Sequence, residues 1–228
     1  MAAKRNKGNI EIERNVIEQY LMIARDFLKG NSKIVKLSAA GITVFAVLFL
    51  SLFVYIEGSA SSNFKSYELI IDSYRMNPSD RAVKDKTIAD LRALADRTWF
   101  GQTHEMSLYM LGNLLYEDEK YEEACEMFNS FMKKSSSDRI FVPVAVIKAS
   151  VCLEELGKTD DALVLLQKFA EENDDSIVMD QILYNSGRLC VIKGDRLKAK
   201  EYFNRVISSY PESVFSERAR ERLLLLGV

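Results

Sequence analysis

Residues 111–128, LGNLLYEDEKYEEACEMF, decide the fold. They read as two helical stretches broken by a short polar turn, residues 117–120. A tiny residue, Gly112, precedes the turn; Ala124 follows twelve residues later, and Phe128 four after that. The pattern returns at 150–166, where Ser150, Ala162 and Leu166 hold the same places. It returns again at 187–203 with Gly187, Ala199 and Phe203. The three alanines are 38 and 37 residues apart, and self-similarity at a fixed period marks a solenoid. The physical reason is packing. A small residue on each helix of a hairpin lets the two backbones approach, and a large side chain fills the gap behind them.

Working outward, residues 135–138 and 174–176 read as surface loops that carry the extra length of each period. Pro211 stops the last hairpin. Val214, Phe215, Ala219, Leu223 and Leu226 then make a closing helix backed by Glu217, Arg218, Arg220, Glu221 and Arg222, the polar cap that keeps a solenoid soluble. On the other side, Phe64, Tyr67, Ile70, Ile71 and Tyr74 form one helical stripe. Asn77-Pro78 breaks it, and Ser79 or Asp80 caps a second helix carrying Ile88, Leu91, Leu94 and Ala95. That helix runs out near Thr98-Trp99, and residues 100–103 read as a loop. Residues 57–103 are thus a hairpin leading into the solenoid, and 104–228 hold the repeats with their cap.

Residues 37–56, LSAAGITVFAVLFLSLFVYI, carry no charge and no proline. At ~1.5 Å per residue a helix of that length spans roughly 30 Å, the thickness of a bilayer's hydrocarbon core. Its polar residues, Ser38, Thr43 and Ser51, can bond back to their own helix. Residues 1–36 hold eight Lys/Arg against four Asp/Glu, so a chain of net charge −2 carries +4 before this stretch and −6 from it onward. The basic flank places residues 1–36 in the cytoplasm and the large region beyond an inner membrane, in a bacterium the periplasm. The apolar run is too long, and its leader too extended, for a cleaved signal peptide, so an uncleaved signal anchor is expected. Within the tail, Ile10, Val16, Ile17, Tyr20, Leu21, Ala24, Phe27 and Leu28 recur at helical spacing up to Gly30-Asn31. Such an amphipathic helix lies on a membrane surface or binds a cytoplasmic partner.

Catalytic chemistry is missing from the pattern. His104 is the one histidine, read as a surface residue at a helix start, so no triad or histidine-rich metal site can form. No Gly-rich phosphate loop, CxxC or HExxH occurs. The expectation is a non-enzyme with no cofactor and no metal. Cys125, Cys152 and Cys190 sit among apolar residues and read as buried core thiols. Glu154-Glu155 and Glu171-Glu172 read as solvated helix ends. A mildly acidic soluble region argues against nucleic acid as partner.

Leu111-Gly112, Tyr116, Ala124 and Phe128, with Gly187, Ala199, Phe203 and Pro211, resemble the tetratricopeptide pattern. Tyr116 stands one place late in it. The resemblance implies that the first helix of each hairpin lines a concave face. Tyr109, Asn113, Tyr116, Ile147, Val151, Glu154, Gln181, Tyr184 and Arg188 then point into a groove suited to a segment of another protein. Tyr109 stands where the carboxylate-clamp subfamily carries a lysine, so that mode of binding is not implied. The fold expected is all-α: one transmembrane helix, then a tetratricopeptide-like solenoid. This order of parts resembles the YfgM-like family, single-pass ancillary subunits of the Sec translocon that associate with a membrane-anchored periplasmic chaperone. The resemblance implies an interaction scaffold with translocon or chaperone partners. An envelope-assembly adaptor for cell-wall or outer-membrane factors, or a regulator acting through the cytoplasmic helix, fits the same residues.

Overall fold

The computed structural model describes residues 3–99, 101–135 and 138–227, with backbone alone for 3–15 and for 17, 32, 35, 39 and 55. Among these residues are ten helices and no strand. The chain divides into two units, Met1–Ser59 and Ala60–Val228.

The first unit holds α1 (Ala3–Gly30) and the start of α2 (Ser32–Met76). Asn31 closes α1 twice: its backbone N–H and its side-chain amide both donate to the Phe27 carbonyl, at 3.0 and 3.2 Å. The stop therefore falls where Gly30-Asn31 predicts it. Tyr20, Leu21, Phe27 and Leu28 are exposed along α1; Ile10 and Ile17 lie outside the described side chains. On α2, Phe45, Leu48, Phe49 and Val54 are exposed as well. Ser51 returns its hydroxyl to the Val47 carbonyl at 2.8 Å, hiding its polarity in its own helix. This helix is long and apolar enough to cross a membrane.

The second unit holds the end of α2 and eight further helices. These are α3 (Arg81–Arg97), α4 (Gln102–Glu117), α5 (Tyr121–Lys134), α6 (Phe141–Glu155), α7 (Thr159–Glu172), α8 (Met179–Ile192), α9 (Arg196–Ser209) and α10 (Val214–Leu225). From α3 on, each packs against the next in chain order, and α10 also reaches α8. Asp80, not Ser79, caps α3, accepting from the Ala82 and Val83 N–H groups. The loop expected at 100–103 is shorter: Gln102 and Thr103 already belong to α4. Gly101, at φ 87°, makes the turn and leaves Thr103 free to bury and accept the Ser107 hydroxyl at 2.7 Å. Phe100, Ser136 and Ser137 lie outside the described residues.

Two core clusters run along the hairpins. One is built on Leu111, Phe128 and Cys152, the other on Leu166, Ile182 and Phe203. Met132, Val142, Leu153 and Leu165 pack against both, so the core is continuous along the repeats. Ala124, Ala162, Ala199, Phe128, Leu166 and Phe203 are fully buried, with Leu111 at 1% exposure. Gly112 and Gly187 face the rings directly. A Cβ at Gly112 would lie 2.7 Å from Phe128 Cε1, and one at Gly187 would lie 2.7 Å from Phe203 Cε1. Pro211 differs from the other repeat positions: it is exposed in the turn after α9, so it stops a helix and fills no gap.

The turns inside the hairpins share one geometry. Glu119, Gly157 and Gly194 each stand five residues before the buried alanine, at φ 58°, 71° and 79°. In each, the next N–H bonds back over five residues. Lys120 reaches Leu115 at 2.9 Å, Lys158 reaches Leu153 at 2.8 Å, and Asp195 reaches Cys190 at 2.9 Å. This is a Schellman closure, which wants glycine at the left-handed place. The first turn carries glutamate there instead. Glu119→Gly is therefore expected to stabilise the chain by about 1 kcal/mol, raising Tm by about 2–4 °C. Thermal unfolding of the full chain followed by circular dichroism checks it. An unchanged or lower Tm would mean that the left-handed backbone costs nothing at Glu119.

Candidate functional site: the groove of the first helices

The groove positions fall on α4, α6 and α8, and the structure divides them into three zones. At the α4 end, Tyr109 is half-buried, its ring centroid 5.3 Å from Phe131, 5.5 Å from Phe141 and 6.0 Å from Phe128. Burial pushes its phenol above the usual range. Asn113 spends its amide on the Tyr109 carbonyl at 2.8 Å, and Tyr116 tilts against Tyr121. In the middle, Val151 is half-buried and Glu154 pairs with Arg188 through two contacts of 2.5 Å, tying α6 to α8. Glu154 is thus no solvated helix end. The Glu154 hydrogen bonds hold the Arg188 guanidinium above its ordinary value. At the far end Gln181 is half-buried, while Tyr184, 8% exposed, packs on Phe203 and on Phe215 of α10. Ile147 is equally buried, at 7%. These two residues offer a partner little surface; the closing helix already covers Tyr184.

Tyr109 opens onto a pocket of about 270 Å³. Phe131, Met106, Met110, Tyr67 and Phe141 line it with Tyr109. Gln102, Glu105 and Asp138 complete the lining with polar groups. Sequence spacing gives Tyr109 but not the pocket, because its lining comes from four helices, α2, α4, α5 and α6. The methionines at 106 and 110, one turn apart on α4 like Tyr109 and Asn113, were the available signal.

A second polar cluster joins α3 to the end of α4. The Asp118 carboxylate, 2% exposed, receives two contacts from Arg81 (2.9 and 3.0 Å) and one from Lys84 at 3.0 Å. Lys84 also reaches Glu117 at 3.0 Å, and the Tyr74 hydroxyl sits 3.4 Å from the same Glu117. Burial would raise the Asp118 carboxyl, but Lys84 and then Arg81 outweigh it and hold it below the usual carboxylate value. These contacts lock α3 to the end of α4, with Tyr74 of α2 beside them.

His104 is half-buried in the first turn of α4, its Nδ1 3.0 Å from the Ala95 carbonyl of α3. The surface position read from sequence is corrected by that contact, which pins two hairpins together. Cys125, Cys152 and Cys190 are buried and unbridged. Burial pushes the Cys152 thiol up to about 12, with Cys125 adding to it, so the reactive thiolate is absent at neutral pH. Native protein at pH 8 is expected to resist iodoacetamide at all three cysteines for hours, while denatured protein labels fully. Mass spectrometry reads this directly, and prompt native labelling would mean the hairpins open locally. Among the described residues no group of His, Cys, Asp and Glu could hold a metal ion.

Comparison with known proteins agrees with the helical hairpins. Tetratricopeptide repeat profiles match residues 106–137 and 145–176, which are α4–α5 and α6–α7, and residues 180–213, which are α8–α9. The chain therefore carries tetratricopeptide repeats, with the middle copy recognisable despite Ser150 and Leu166. A tetratricopeptide repeat protein from Parabacteroides merdae superposes with a TM-score of 0.55 at 20% identity, over 68% of this chain and 58% of that one. The chain thus spans little over half the length of that relative. MamA from Desulfovibrio magneticus RS-1 superposes with a TM-score of 0.51 at 14% identity, over 64% of this chain and 74% of that one. At such identities the likeness is one of fold. No curated protein sequence matches the chain.

Proposed function

We propose that this chain is a non-catalytic, membrane-tethered scaffold whose tetratricopeptide groove holds a segment of another protein. The observation that carries the reading is the α4 end of the groove. There, aromatic and methionine side chains line an open pocket on a repeat fold whose general use is binding other proteins. The apolar side chains exposed among the described residues from 37 to 56 support the tether, since a large apolar face seeks a lipid or protein cover. The basic flank before it supports a cytoplasmic N-terminus and a periplasmic solenoid. In that arrangement the partners are proteins near the membrane. Translocon subunits and a membrane-anchored chaperone, as in the YfgM-like family, are the first to test. The tether raises the groove's local concentration at the membrane surface.

Two experiments decide it. Purification of the tagged chain after mild detergent extraction is expected to recover translocon or chaperone subunits, and their consistent absence would remove the proposed partners. A topology reporter after Val228 is expected to be active only in the periplasm; cytoplasmic activity would overturn the orientation.

A further inference from the structure

The pocket at Tyr109 has a chemistry that narrows its occupant. Its volume, about 270 Å³, has room for one large side chain. Its walls are apolar and adaptable: Met106, Met110, Tyr67 and Phe141, the last 48% exposed. Its polar lining is acidic. Glu105 uses Oε2 to accept the Ser135 hydroxyl at 2.6 Å, which leaves Oε1 uncommitted. Asp138 uses Oδ1 to accept from the Ile140 and Phe141 N–H groups just before and at the start of α6, which leaves Oδ2 uncommitted. The neighbouring cation, Arg139, is engaged by Asp175. Among the described residues, then, no cation pairs with either carboxylate.

We infer that this pocket anchors one large apolar side chain of a partner protein segment that carries a lysine or arginine within one helical turn of it. The apolar side chain fills the space between Met106, Met110 and Phe141. The cation meets Glu105 and Asp138 and passes over the aromatic faces beside them. An acidic segment is rejected by the same two carboxylates, which gives the groove its selectivity. This rests on the groove being a protein-binding face and adds what it prefers to bind.

The test uses the full chain held in amphipol and a displayed library of random twelve-residue peptides. Selected peptides are expected to pair a Leu, Ile, Phe or Met with a Lys or Arg within four positions. Their affinity is expected to fall at least tenfold on Phe141→Ala and at least tenfold on Glu105→Lys. Phe141 is half in solvent and Glu105 holds only a hydroxyl, so both variants are expected to keep the helical circular dichroism of the parent. Glu105→Lys should also gain binding to acid-bearing counterparts of the same peptides. Selected peptides that are acidic, or that bind both variants as tightly as the parent, would overturn the pocket and leave the groove standing. A selection that yields no binder would sink the groove reading and the pocket with it.

Discussion

Gly112→Ser is expected to destabilise the chain by about 2–3 kcal/mol, and adding Phe128→Leu is expected to recover about half of that loss or more. A Cβ at Gly112 would sit 2.7 to 2.9 Å from three atoms of the Phe128 ring, nearer than real Cβ atoms come. The ring cannot yield easily: it is fully buried, with Tyr109 edge-on at 6.0 Å. On an open helix, replacing glycine would gain up to about 1 kcal/mol of helix propensity. Overpacking a close-fitted core costs about 1–3 kcal/mol and wins here, because there is no room to relax. The rescue is written in the chain itself. Its middle repeat places Ser150 and Leu166 where its neighbours have glycine and phenylalanine, and both are buried, with the Ser150 hydroxyl bonded to the Ile147 carbonyl at 2.7 Å. Small-with-large and larger-with-smaller are two solutions of one volume. Phe128→Leu alone should cost about 1–2 kcal/mol for the cavity, so a non-additive cycle with at least about 1 kcal/mol of coupling is the signature. Thermal unfolding of the four full-length proteins measures it. Strict additivity would mean that the glycine and the ring do not share one space.

Asp118→Asn is expected to cost about 2 kcal/mol at pH 7, with the gap to the parent narrowing as the medium is acidified below about pH 4. Removing the charge takes the buried carboxylate from Lys84, whose side chain is 13% exposed, and leaves it only the more exposed Glu117. Arg81 is largely in solvent and contributes little to the loss. The direction with pH follows from the lowered carboxyl. A group depressed in the folded state adds stability that is full above its unfolded value and fades as pH falls through its folded value. The asparagine variant has no such proton to take up, so the two curves converge in acid. Denaturant melts at pH 7 and pH 3 read the difference. A constant gap across that range would mean the charge is immaterial and only shape matters.

The fold lay open in the sequence because its rule is local. Gly112, Ala124 and Phe128 recur within seventeen residues, and the structure sets Gly112 against the Phe128 ring, with Ala124 buried in the same cluster as that ring. Helix stops at Gly30-Asn31 and Asn77-Pro78 were equally local. What escaped depended on partners far along the chain. Glu154 looked like a solvated helix end until α8 brought Arg188 against it, 34 residues away. Asp118 looked like one more polar turn residue until Arg81, 37 residues earlier, reached back to it. His104 showed no sign of the Ala95 carbonyl it meets. The groove itself was half legible. The repeat register places Tyr109, Val151, Gln181 and Arg188 on first helices, yet only packing shows that Ile147 and Tyr184 are taken up inside. Only packing, too, reveals that Phe141 completes a pocket with Tyr109.

The most direct measurement is photo-crosslinking from the groove in living cells producing the full chain. A benzophenone side chain at Val151 or Gln181, on the first helices, is expected to give discrete protein adducts. The same side chain at Val164 or Leu197, exposed on the second helices, is expected to give none. Equal adducts from both faces, or none from Val151 and Gln181, would contradict a scaffold that works through its groove.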